Sequence, residues 1–424
     1  MVQQKHPPHL RPETDVLTRG FDPTLSVGSA RPAVFRSSTY VFSSPEAAER
    51  AFDIMGGRAQ RGVEENVDLV YSRFNHPNAQ ILEDQILPLE PGAVAAAVFN
   101  SGMAAIMTAL LAVLEPRDSM LYTVPIYGGT QTLIQGFFQP FGIHGVAVQA
   151  GQTAAIDQAI RTTKNLRVVL IESPANPTVI MTDIKQACET VAALPVNTTN
   201  GNRKPERPVV MIDNTFMGPA FQHPLALGAD VSLYSATKYL GGFSDIIGGV
   251  ALTKDLALMT KIRSKRSLFG NILQPDECWI LNTRLPTVTL RMNRQSKNAQ
   301  RIAERLAGHP KIRKVYYPTL FDNAEQMRMY NEQCTHPGGL VSLDLKGGKE
   351  AAFNLLRNLR LARNAVSLGG VETLACHPRS TTHSAWSARD LDEGGVSEGL
   401  VRVSCGIEDW EDLLADFEQA LETV

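Results

Sequence analysis

The chain has 424 residues, too many for one compact core, so its length predicts two or three packed units. A hydrophobic content of 43% and a charged content of 20% are ordinary for a soluble globular protein. The formal net charge of −2 at pH 7 offers no basic surface to nucleic acid or to an anionic membrane, and neither is expected as a partner.

The sequence contains no segment typical of a membrane or secreted protein. Its apolar runs are shorter than the ~20 residues that a membrane helix needs, and its N-terminus has no apolar signal region. The five cysteines are odd in number and widely scattered, which favours reduced thiols over a disulfide framework. No zinc-type spacing is present. We therefore expect a cytoplasmic protein without a metal site.

Three regions with different patterns follow one another along the chain. Residues 1–69 are rich in proline and polar residues and predict an N-terminal arm without a core of its own. In residues 70–285, short apolar runs alternate with helical patterns, which is typical of a mostly parallel sheet covered by helices. Residues 286–424 predict a smaller C-terminal α/β domain with β-like segments at residues 313–317, 340–345 and 400–404. Residues 197–207 predict an exposed loop.

Polar residues follow the strand candidates of the large α/β region. The candidates cover residues 93–99, 119–124, 167–171, 208–212 and 231–234. In a parallel sheet the carboxyl ends of the strands meet at one edge, and ligands collect there. The residues just past these ends are Ser101, Tyr127, Asn176, Asp213 and Lys238. This edge is therefore the predicted site.

One of these junctions carries a lysine between two buried-looking apolar runs. Ser235 and Thr237 precede Lys238, and four glycines follow it within residues 239–249. Desolvation disfavours the ammonium form of a buried lysine, and a neutral lysine attacks carbonyl groups, including that of pyridoxal phosphate. The alternative is a surface lysine in a strand-to-turn connection.

An earlier junction is a candidate anion site. Ser101, Gly102 and Met103 form a tight turn that leads from an apolar run into a helical run. Such a turn points backbone N–H groups and the positive helix end at one spot. The alternative is an ordinary N-capped helix.

A pyridoxal-phosphate site needs a lysine, a carboxylate for the pyridine nitrogen, a phosphate cradle and a flat partner for the ring. The chain offers Lys238, Asp213, the Ser101 turn with Ser235 and Thr237, and Tyr127. Arg402, in a β-like apolar run, is a candidate for binding a substrate carboxylate. The alternatives are a helix-capping role for Asp213, a core position for Tyr127 and a structural ion pair for Arg402.

The ordered motifs of the chain resemble the Cys/Met-metabolism pyridoxal-phosphate enzymes. These include cystathionine γ-synthase, cystathionine γ-lyase, methionine γ-lyase and O-acetylhomoserine sulfhydrylase. The resemblance extends from about residue 30 to the C-terminus and is carried by Tyr71-Ser-Arg-Phe-Asn-His-Pro, Ser101-Gly-Met-Ala-Ala-Ile, Tyr127-Gly-Gly-Thr, Glu172-Ser-Pro-Ala-Asn-Pro, Asp213-Asn-Thr-Phe, Ser235-Ala-Thr-Lys-Tyr, Ser367-Leu-Gly-Gly, His377-Pro with Thr382-His, and Arg402-Val-Ser-Cys-Gly-Ile-Glu.

The resemblance implies the aspartate-aminotransferase-like fold, fold type I, and a homotetramer built from two dimers with shared active sites. It implies that Lys238 binds pyridoxal 5′-phosphate and moves protons, and that Asp213 holds the pyridine nitrogen. It also assigns the remaining cofactor contacts to Ser101, Gly102, Met103, Tyr127, Asn176, Ser235 and Thr237, with Tyr71 and Arg73 reaching the neighbouring subunit's phosphate. For the substrate it implies contacts from Arg402, Ser367, Val366 and Asn176.

Several positions depart from the usual family pattern. Gly129 stands where methionine γ-lyases carry cysteine, and Val366 stands where cystathionine lyases often carry glutamate. His76 and Phe243 replace a common asparagine and a common histidine, and Arg379 replaces a small residue. Asn78 stands in place of the usual threonine. Arg379 either gates the substrate entrance or is solvated.

The resemblance implies γ-elimination or γ-replacement on a homoserine-derived amino acid, in sulfur amino-acid metabolism. A lyase for an unusual homoserine-type substrate such as canavanine and an O-acyl-homoserine sulfhydrylase are the enzymatic alternatives. A catalytically silent binding protein of the same fold is the alternative from another class. Lys238, Asp213 and Arg402 are all present, which favours an enzyme.

Overall fold

The computed structural model describes residues 10–17, 19–62, 65, 67–195 and 207–424. The first nine residues of the predicted arm and nearly all of the predicted loop at 197–207 lie outside these ranges. In the described part of the chain, no helix has the length and apolar character needed to cross a membrane.

The larger of two sheets has seven strands in the order β1-β7-β6-β5-β4-β2-β3. Strand β7 is antiparallel to both of its neighbours, and the other neighbouring pairs are parallel. The strands are β1 (Ala95–Phe99), β2 (Ser119–Val124), β3 (His144–Gln149), β4 (Leu166–Glu172), β5 (Val209–Asp213), β6 (Val231–Ser235) and β7 (Gly249–Thr253).

The smaller sheet has five strands in the order β10-β11-β12-β9-β8. Neighbouring strands within this sheet are antiparallel, except for the short parallel pair β10 and β11. These strands are β8 (Ile312–Tyr316), β9 (Leu340–Leu345), β10 (Arg363–Asn364), β11 (Leu374–Cys376) and β12 (Leu400–Ser404).

Helices cover both sheets. They are α1 (Pro12–Asp15), α2 (Pro45–Met55), α3 (Pro77–Gln85), α4 (Gly102–Leu111), α5 (Gly128–Leu133), α6 (Thr153–Thr162), α7 (Ile184–Ala192), α8 (Leu256–Phe269), α9 (Pro275–Arg284), α10 (Val288–Leu306), α11 (Ala324–Gln333), α12 (Gly348–Asn358), α13 (Ala388–Glu393) and α14 (Trp410–Leu421). Many of them begin after a side-chain cap, as α4 does after Ser101, whose hydroxyl accepts the N–H of Ala104.

Apart from its edge strand β3, the large sheet is buried on both faces, and alternate residues of its strands enter different cores. In β4, Val168 and Leu170 pack with residues of α4 and α8, whereas Val169 and Ile171 pack with residues of α6 and α7. The small sheet has its own core, in which Val401 packs with apolar residues of α10, α12 and α14. These cores hold the strand ends in fixed positions.

The strand predictions agree closely with the structure where an apolar run is compact. Strands β2, β9 and β12 have the predicted bounds, and β1, β4, β5, β6 and β8 differ by one or two residues at their ends. Strand β3 was not predicted, because His144–Gln149 lies at the sheet edge, is partly exposed and has a mixed composition. Strands β10 and β11 are too short to leave a periodic signal.

Candidate active site

The carboxyl ends of β4, β5 and β6 lie side by side at one edge of the large sheet. Glu172, the last residue of β4, pairs in register with Asp213, the last residue of β5, and Asp213 in turn pairs with Leu233 of β6. Lys238 follows three residues after the end of β6. The sheet register therefore brings two acidic groups and the predicted lysine to the same edge.

Lys238 is held in a tight turn and is largely buried. Its backbone N–H donates to the carbonyl of Ser235 at 3.1 Å, and its Nζ donates to Oγ of Ser367 at 2.8 Å. Burial lowers the pKa of Lys238 to about 8, and the positive charge of Arg402 adds to the decrease. The surface-lysine alternative is therefore wrong, and the amine of Lys238 loses its proton more readily than that of an exposed lysine.

Ser367 has a backbone conformation that non-glycine residues rarely adopt. Its φ is 86°, in the left-handed region, which costs about 1–3 kcal/mol and persists only where the surroundings enforce it. One such restraint is Arg402, whose Nη2 donates to the Ser367 carbonyl at 2.8 Å. Ser367 thus connects the lysine of the large domain to the arginine of the small sheet.

Arg402 lies in the middle of β12 and is only 3% exposed. Its Nη1 donates to Oδ1 of Asn176 at 3.0 Å, while its Nε is buried without a hydrogen-bond partner. Among the residues that the structure describes, no aspartate or glutamate forms an ion pair with Arg402. The structural ion-pair alternative is therefore wrong, and this buried guanidinium retains capacity for an anion.

Asp213 is partly buried at the end of β5, and loss of solvation raises the pKa of its carboxyl group. Its Oδ1 accepts the N–H of Thr215 at 3.1 Å and the hydroxyl of Thr215 at 2.6 Å, and these bonds oppose the rise. The Thr215 hydroxyl in turn accepts the N–H of Ser235 at 2.9 Å. Asp213 therefore caps a local turn rather than a regular helix, and its Oδ2 accepts no hydrogen bond from any described residue.

The predicted anion turn lies against the end of β6. A Cβ on Gly102 would come within 2.9 Å of the Ser235 Cβ, so this close approach requires glycine. Ser101 caps α4 as the alternative proposed, and the open N-terminus of α4 lies beside Ser235. The Thr237 hydroxyl lies nearby but accepts the N–H of Gly248 at 3.1 Å. The predicted turn and Ser235 thus lie side by side.

Tyr127 precedes α5, and its side chain is not part of the core. It is 42% exposed, which makes the core-tyrosine alternative wrong. A Cβ on Gly129 would lie 2.6 Å from Cε1 of Tyr127 and 3.2 Å from the sulfur of Met103, so the tyrosine ring lies over that glycine next to Met103. The backbone N–H of Tyr127 donates to Glu172 at 2.8 Å.

Tyr71 and Arg73 are not part of this cluster within their own chain. Tyr71 is 41% exposed, and Arg73 donates from Nη1 to the carbonyl of Ser267 at 2.6 Å and lies over the ring of Phe74. In the described part of the chain, neither side chain forms a hydrogen bond or an ion pair with another predicted site residue.

The chain matches the family described as Cys/Met metabolism PLP-dependent enzyme over residues 13–422. It is a member of this family. It is 36% identical to an L-methionine gamma-lyase of Fusobacterium nucleatum over 398 residues, with 94% of both chains covered. It is 38% identical to cystathionine beta-lyase MetC of Bacillus subtilis, with 84% of this chain and 86% of that protein covered. It is 36% identical to a cystathionine gamma-synthase of Mycobacterium bovis, with 97% of this chain and 96% of that protein covered.

Solved structures agree with this assignment. The structure of metB from Corynebacterium glutamicum superposes with a TM-score of 0.86 at 32% identity, covering 98% of this chain and 99% of that one. A cystathionine gamma synthase of Xanthomonas oryzae pv. oryzae has a TM-score of 0.86 at 29% identity, covering 98% of both chains. The predicted fold type I, the family and the pyridoxal-phosphate dependence are confirmed, and the chain is a PLP-dependent enzyme.

The residues at the strand ends fit pyridoxal phosphate. Lys238 supplies an amine with a lowered pKa, and the free Oδ2 of Asp213 suits a protonated ring nitrogen. The N-terminus of α4 suits a phosphate. The buried, partly unbonded guanidinium of Arg402 suits a substrate carboxylate.

A cleft of about 820 Å³ opens beside Ser367. Val366, which is 52% exposed, forms part of its wall, together with Phe243, Ile247, Arg363 and Glu372. In contrast to the strand ends, this wall is built largely from loops.

Side-chain contacts hold the loop that carries Phe243 at two points. The Phe243 ring lies 4.1 Å from the guanidinium carbon of Arg284, which forms an ion pair with Asp245 at 2.9 Å. Ser244 donates a hydrogen bond to Glu372. The phenylalanine that replaces the common histidine thus stacks on an arginine at the cleft rim.

The other departures from the family pattern have structural roles. His76 caps α3 by accepting the N–H of Ala79, and its other ring nitrogen bonds the carbonyl of Leu273. Asn78 accepts the N–H of Phe35 and donates to the carbonyl of Ala33. Arg379 is neither solvated nor placed at the cleft, since it forms ion pairs with Asp392 and Glu398.

Two residues of the site were not assigned roles from the sequence. Glu172 accepts the backbone N–H groups of Tyr127 and Asn176, both at 2.8 Å. His383 is buried near Arg402, and burial together with that charge lowers its pKa to about 4, so its imidazole is neutral. The available signal for Glu172 was its position directly after the strand candidate at residues 167–171.

Proposed function

We propose that the enzyme acts at the γ-carbon of a homoserine-derived amino acid, by γ-elimination or γ-replacement. The observation that carries this proposal is the chain of contacts from Lys238 through Ser367 to Arg402. It places an amine with a lowered pKa next to a buried guanidinium, so a substrate whose carboxylate binds Arg402 presents its α-carbon near Lys238. The relatives with 36% identity are named for chemistry of this kind.

In this proposal Lys238 binds the cofactor and is the proton carrier. Its Nζ accepts the α-proton of the substrate and then assists removal of a β-proton, since an amine with a pKa of about 8 both accepts and releases protons near neutral pH. Pyridoxal phosphate, when bound, withdraws electrons from the α-carbon. Ser367 orients the amine by accepting its hydrogen bond.

The remaining roles follow from position and charge. Asp213 would hold the ring nitrogen of the cofactor in its protonated form, and the α4 turn with Met103, Ser235 and Thr237 would hold the phosphate. Asn176 would contact the cofactor, and it also orients Arg402. Tyr127 would stack on the cofactor ring, and its Oη would donate a proton to the departing γ-substituent. In γ-elimination one water is consumed, and 2-oxobutanoate, ammonia and the protonated leaving group are released.

A second candidate substrate class has a cationic γ-substituent, as in canavanine. Glu372 lines the cleft and is bonded to Ser244, and no lysine or arginine forms an ion pair with Glu372 among the described residues. A carboxylate in that position would attract the oxyguanidine group of canavanine. Arg363 on the same wall would favour an anionic γ-substituent instead. Substrates with cationic and with anionic γ-substituents must therefore be compared directly.

The assembly that we propose is a cytoplasmic homotetramer whose active sites are shared within each dimer. Tyr71 and Arg73 lie away from their own chain's lysine, which supports a role at the phosphate of a neighbouring subunit. Mixing K238A and R73A subunits tests this sharing. Recovery of about a quarter of wild-type activity in the mixture is expected, and no recovery would contradict it.

A product screen tests the proposed function. The purified enzyme, loaded with pyridoxal phosphate, is offered methionine, cystathionine, canavanine, O-acetylhomoserine and O-succinylhomoserine, each with and without a thiol. We expect 2-oxobutanoate, or a thioether when the thiol is present, from at least one of them. Absence of both products with every substrate would refute action at the γ-carbon.

A further inference from the structure

We propose that Glu172 is a positioning residue of this active site, which holds the Tyr127 turn and the Asn176 loop together beside Asp213. The inference rests on the proposed function because it concerns the same site. It begins from one side chain, whose Oε2 accepts the N–H of Tyr127 and whose Oε1 accepts the N–H of Asn176, both at 2.8 Å.

These two hydrogen bonds reach two separate segments whose side chains face the site. Tyr127 lies between β2 and α5, and its ring is 42% exposed, so packing alone does not fix it. Asn176 follows β4, and its side chain accepts a hydrogen bond from Arg402. Glu172 therefore connects the ring partner of the cofactor to the residue that orients the substrate arginine.

The carboxylate of Glu172 is energetically costly at this place. Glu172 is 4% exposed, and no lysine or arginine in the described part of the chain pairs with it directly. Burying a charge without a partner costs several kcal/mol, and neutral side chains satisfy backbone N–H groups without that cost. The acidic group is thus costly for the fold, which is expected where a site needs two acceptors in a fixed geometry.

The charges around Glu172 belong to the site itself. Asp213 faces it from β5, and Arg402 faces it from β12. Burial and the negative charge of Asp213 raise the pKa of Glu172 to about 8, whereas the two backbone N–H groups and Arg402 oppose the rise. A cationic ring nitrogen at Asp213 would relieve the repulsion between the two carboxylates and favour the ionised form that accepts both bonds.

The decisive variant is Glu172→Gln, which keeps the size of the side chain. One amide oxygen accepts one N–H, but the amide NH₂ group faces the other N–H, so one hydrogen bond is lost. We expect kcat to fall about 30-fold, since displacements of about 1 Å cost up to ~100-fold in rate. We also expect the affinity of the cofactor-free protein for pyridoxal phosphate, measured by absorbance titration, to fall about tenfold.

The matched control is Asp416→Asn. Asp416 is 4% exposed and accepts the backbone N–H groups of Arg360, Leu361 and Ala362, so it is a buried carboxylate with the same kind of bonds but in the small domain. Its amide variant is expected to lower the melting temperature as E172Q does, while kcat and cofactor affinity stay within about twofold of wild type.

A double variant shows whether Glu172 acts through Tyr127. If it does, adding E172Q to Tyr127→Phe lowers kcat by much less than the about 30-fold loss expected in the wild-type background, because the two residues act as one unit. If the losses in kcat of the two single variants add fully in the double variant, Glu172 does not act through Tyr127. If E172Q does not fold, Glu172→Asp takes its place, because the shorter carboxylate cannot reach both N–H groups.

Failure of the inference and failure of the proposed function give different results. Equal kcat and equal cofactor affinity for E172Q and D416N overturn the positioning role, whatever the substrate. If the wild-type enzyme forms no product from any amino acid offered, the proposed function fails. In that case the cofactor titration alone decides. A loss of affinity for pyridoxal phosphate in E172Q but not in D416N supports the inference, and equal affinities overturn it.

Discussion

The strand-end region and the cleft wall of this enzyme are built in opposite ways. At the strand ends, Glu172 is buried and Asp213 is partly buried, and the pairing of β4 with β5 holds the two residues in register. Arg402, which faces them from β12, is buried as well. On the cleft wall, Phe243 and Val366 are about half exposed and lie in loops. From this difference we infer that the buried region carries the reaction type, whereas the exposed wall carries the choice of substrate.

The largest effect is expected from Lys238→Ala, because it removes the proposed proton carrier of the strand-end region. We expect kcat to fall by about 10⁴-fold, at the upper end of the contribution of one acid–base group. Steady-state product formation measures the change, and circular dichroism shows whether the fold is kept. A variant that retains more than a tenth of wild-type turnover would remove Lys238 from the mechanism.

Arg402→Lys tests the substrate side of the same buried region. Lysine keeps the positive charge but lacks the planar fork that bonds both Asn176 and the Ser367 carbonyl. We expect KM for the amino acid to rise about 100-fold with a smaller loss in kcat, as measured by initial rates over a range of substrate concentrations. An unchanged KM would place the substrate carboxylate elsewhere.

Gly129→Ala tests the boundary between the two regions. The added Cβ would lie 2.6 Å from the Tyr127 ring, so this partly exposed ring must shift. We expect kcat to fall about tenfold, in line with a small displacement of an acid group. Gly136→Ala is the control, since a Cβ there meets nothing within 4 Å. Equal activity of the two variants would show that the ring position is not critical.

A buried carboxylate away from the reaction should affect stability rather than rate. Glu90 accepts hydrogen bonds from Ser232 and Tyr234, and burial raises its pKa to about 7. The native state therefore binds a proton more tightly than the unfolded state, and this part of the unfolding free energy is lost as pH rises from about 4.5 to 7. Urea unfolding of cofactor-free wild type and E90Q should diverge over this window, with the wild type showing the steeper decline. Parallel pH profiles would contradict the shift.

The smallest effect is expected on the cleft wall, from Val366→Glu. The new carboxylate is solvent-exposed, so it should change the ratio of kcat/KM for canavanine or cystathionine to that for methionine by only about threefold. V366Q is the uncharged control. A loss of all activity would show that the wall belongs to the reacting region and would remove the contrast between the two regions.

The sequence predicted the strand-end region well because a buried parallel strand leaves a compact apolar run followed by a polar residue. Lys238, Asp213 and Tyr127 were proposed as site residues in this way, and the bounds of β2, β9 and β12 were correct. The motif resemblance added Ser367, which follows no strong local pattern and whose φ of 86° no composition reveals.

Pairings between distant segments were not predictable in the same way. Nothing local to Glu172 shows that it accepts the N–H of Tyr127, 45 residues earlier in the chain. Arg379 was expected at the entrance or in solvent because its ion-pair partners, Asp392 and Glu398, become neighbours only in the folded small domain. The proposed contacts of Tyr71 and Arg73 with another subunit remain a prediction.

The central claim is that Lys238 carries the cofactor, and borohydride trapping followed by peptide mapping tests it most directly. The enzyme is incubated with pyridoxal phosphate, reduced with borohydride and digested, and the modified peptide is identified by mass spectrometry. We predict a single phosphopyridoxyl group on Nζ of Lys238, with no such label in K238A. A wild-type enzyme without a label, or one labelled at another lysine and not at Lys238, would contradict this account.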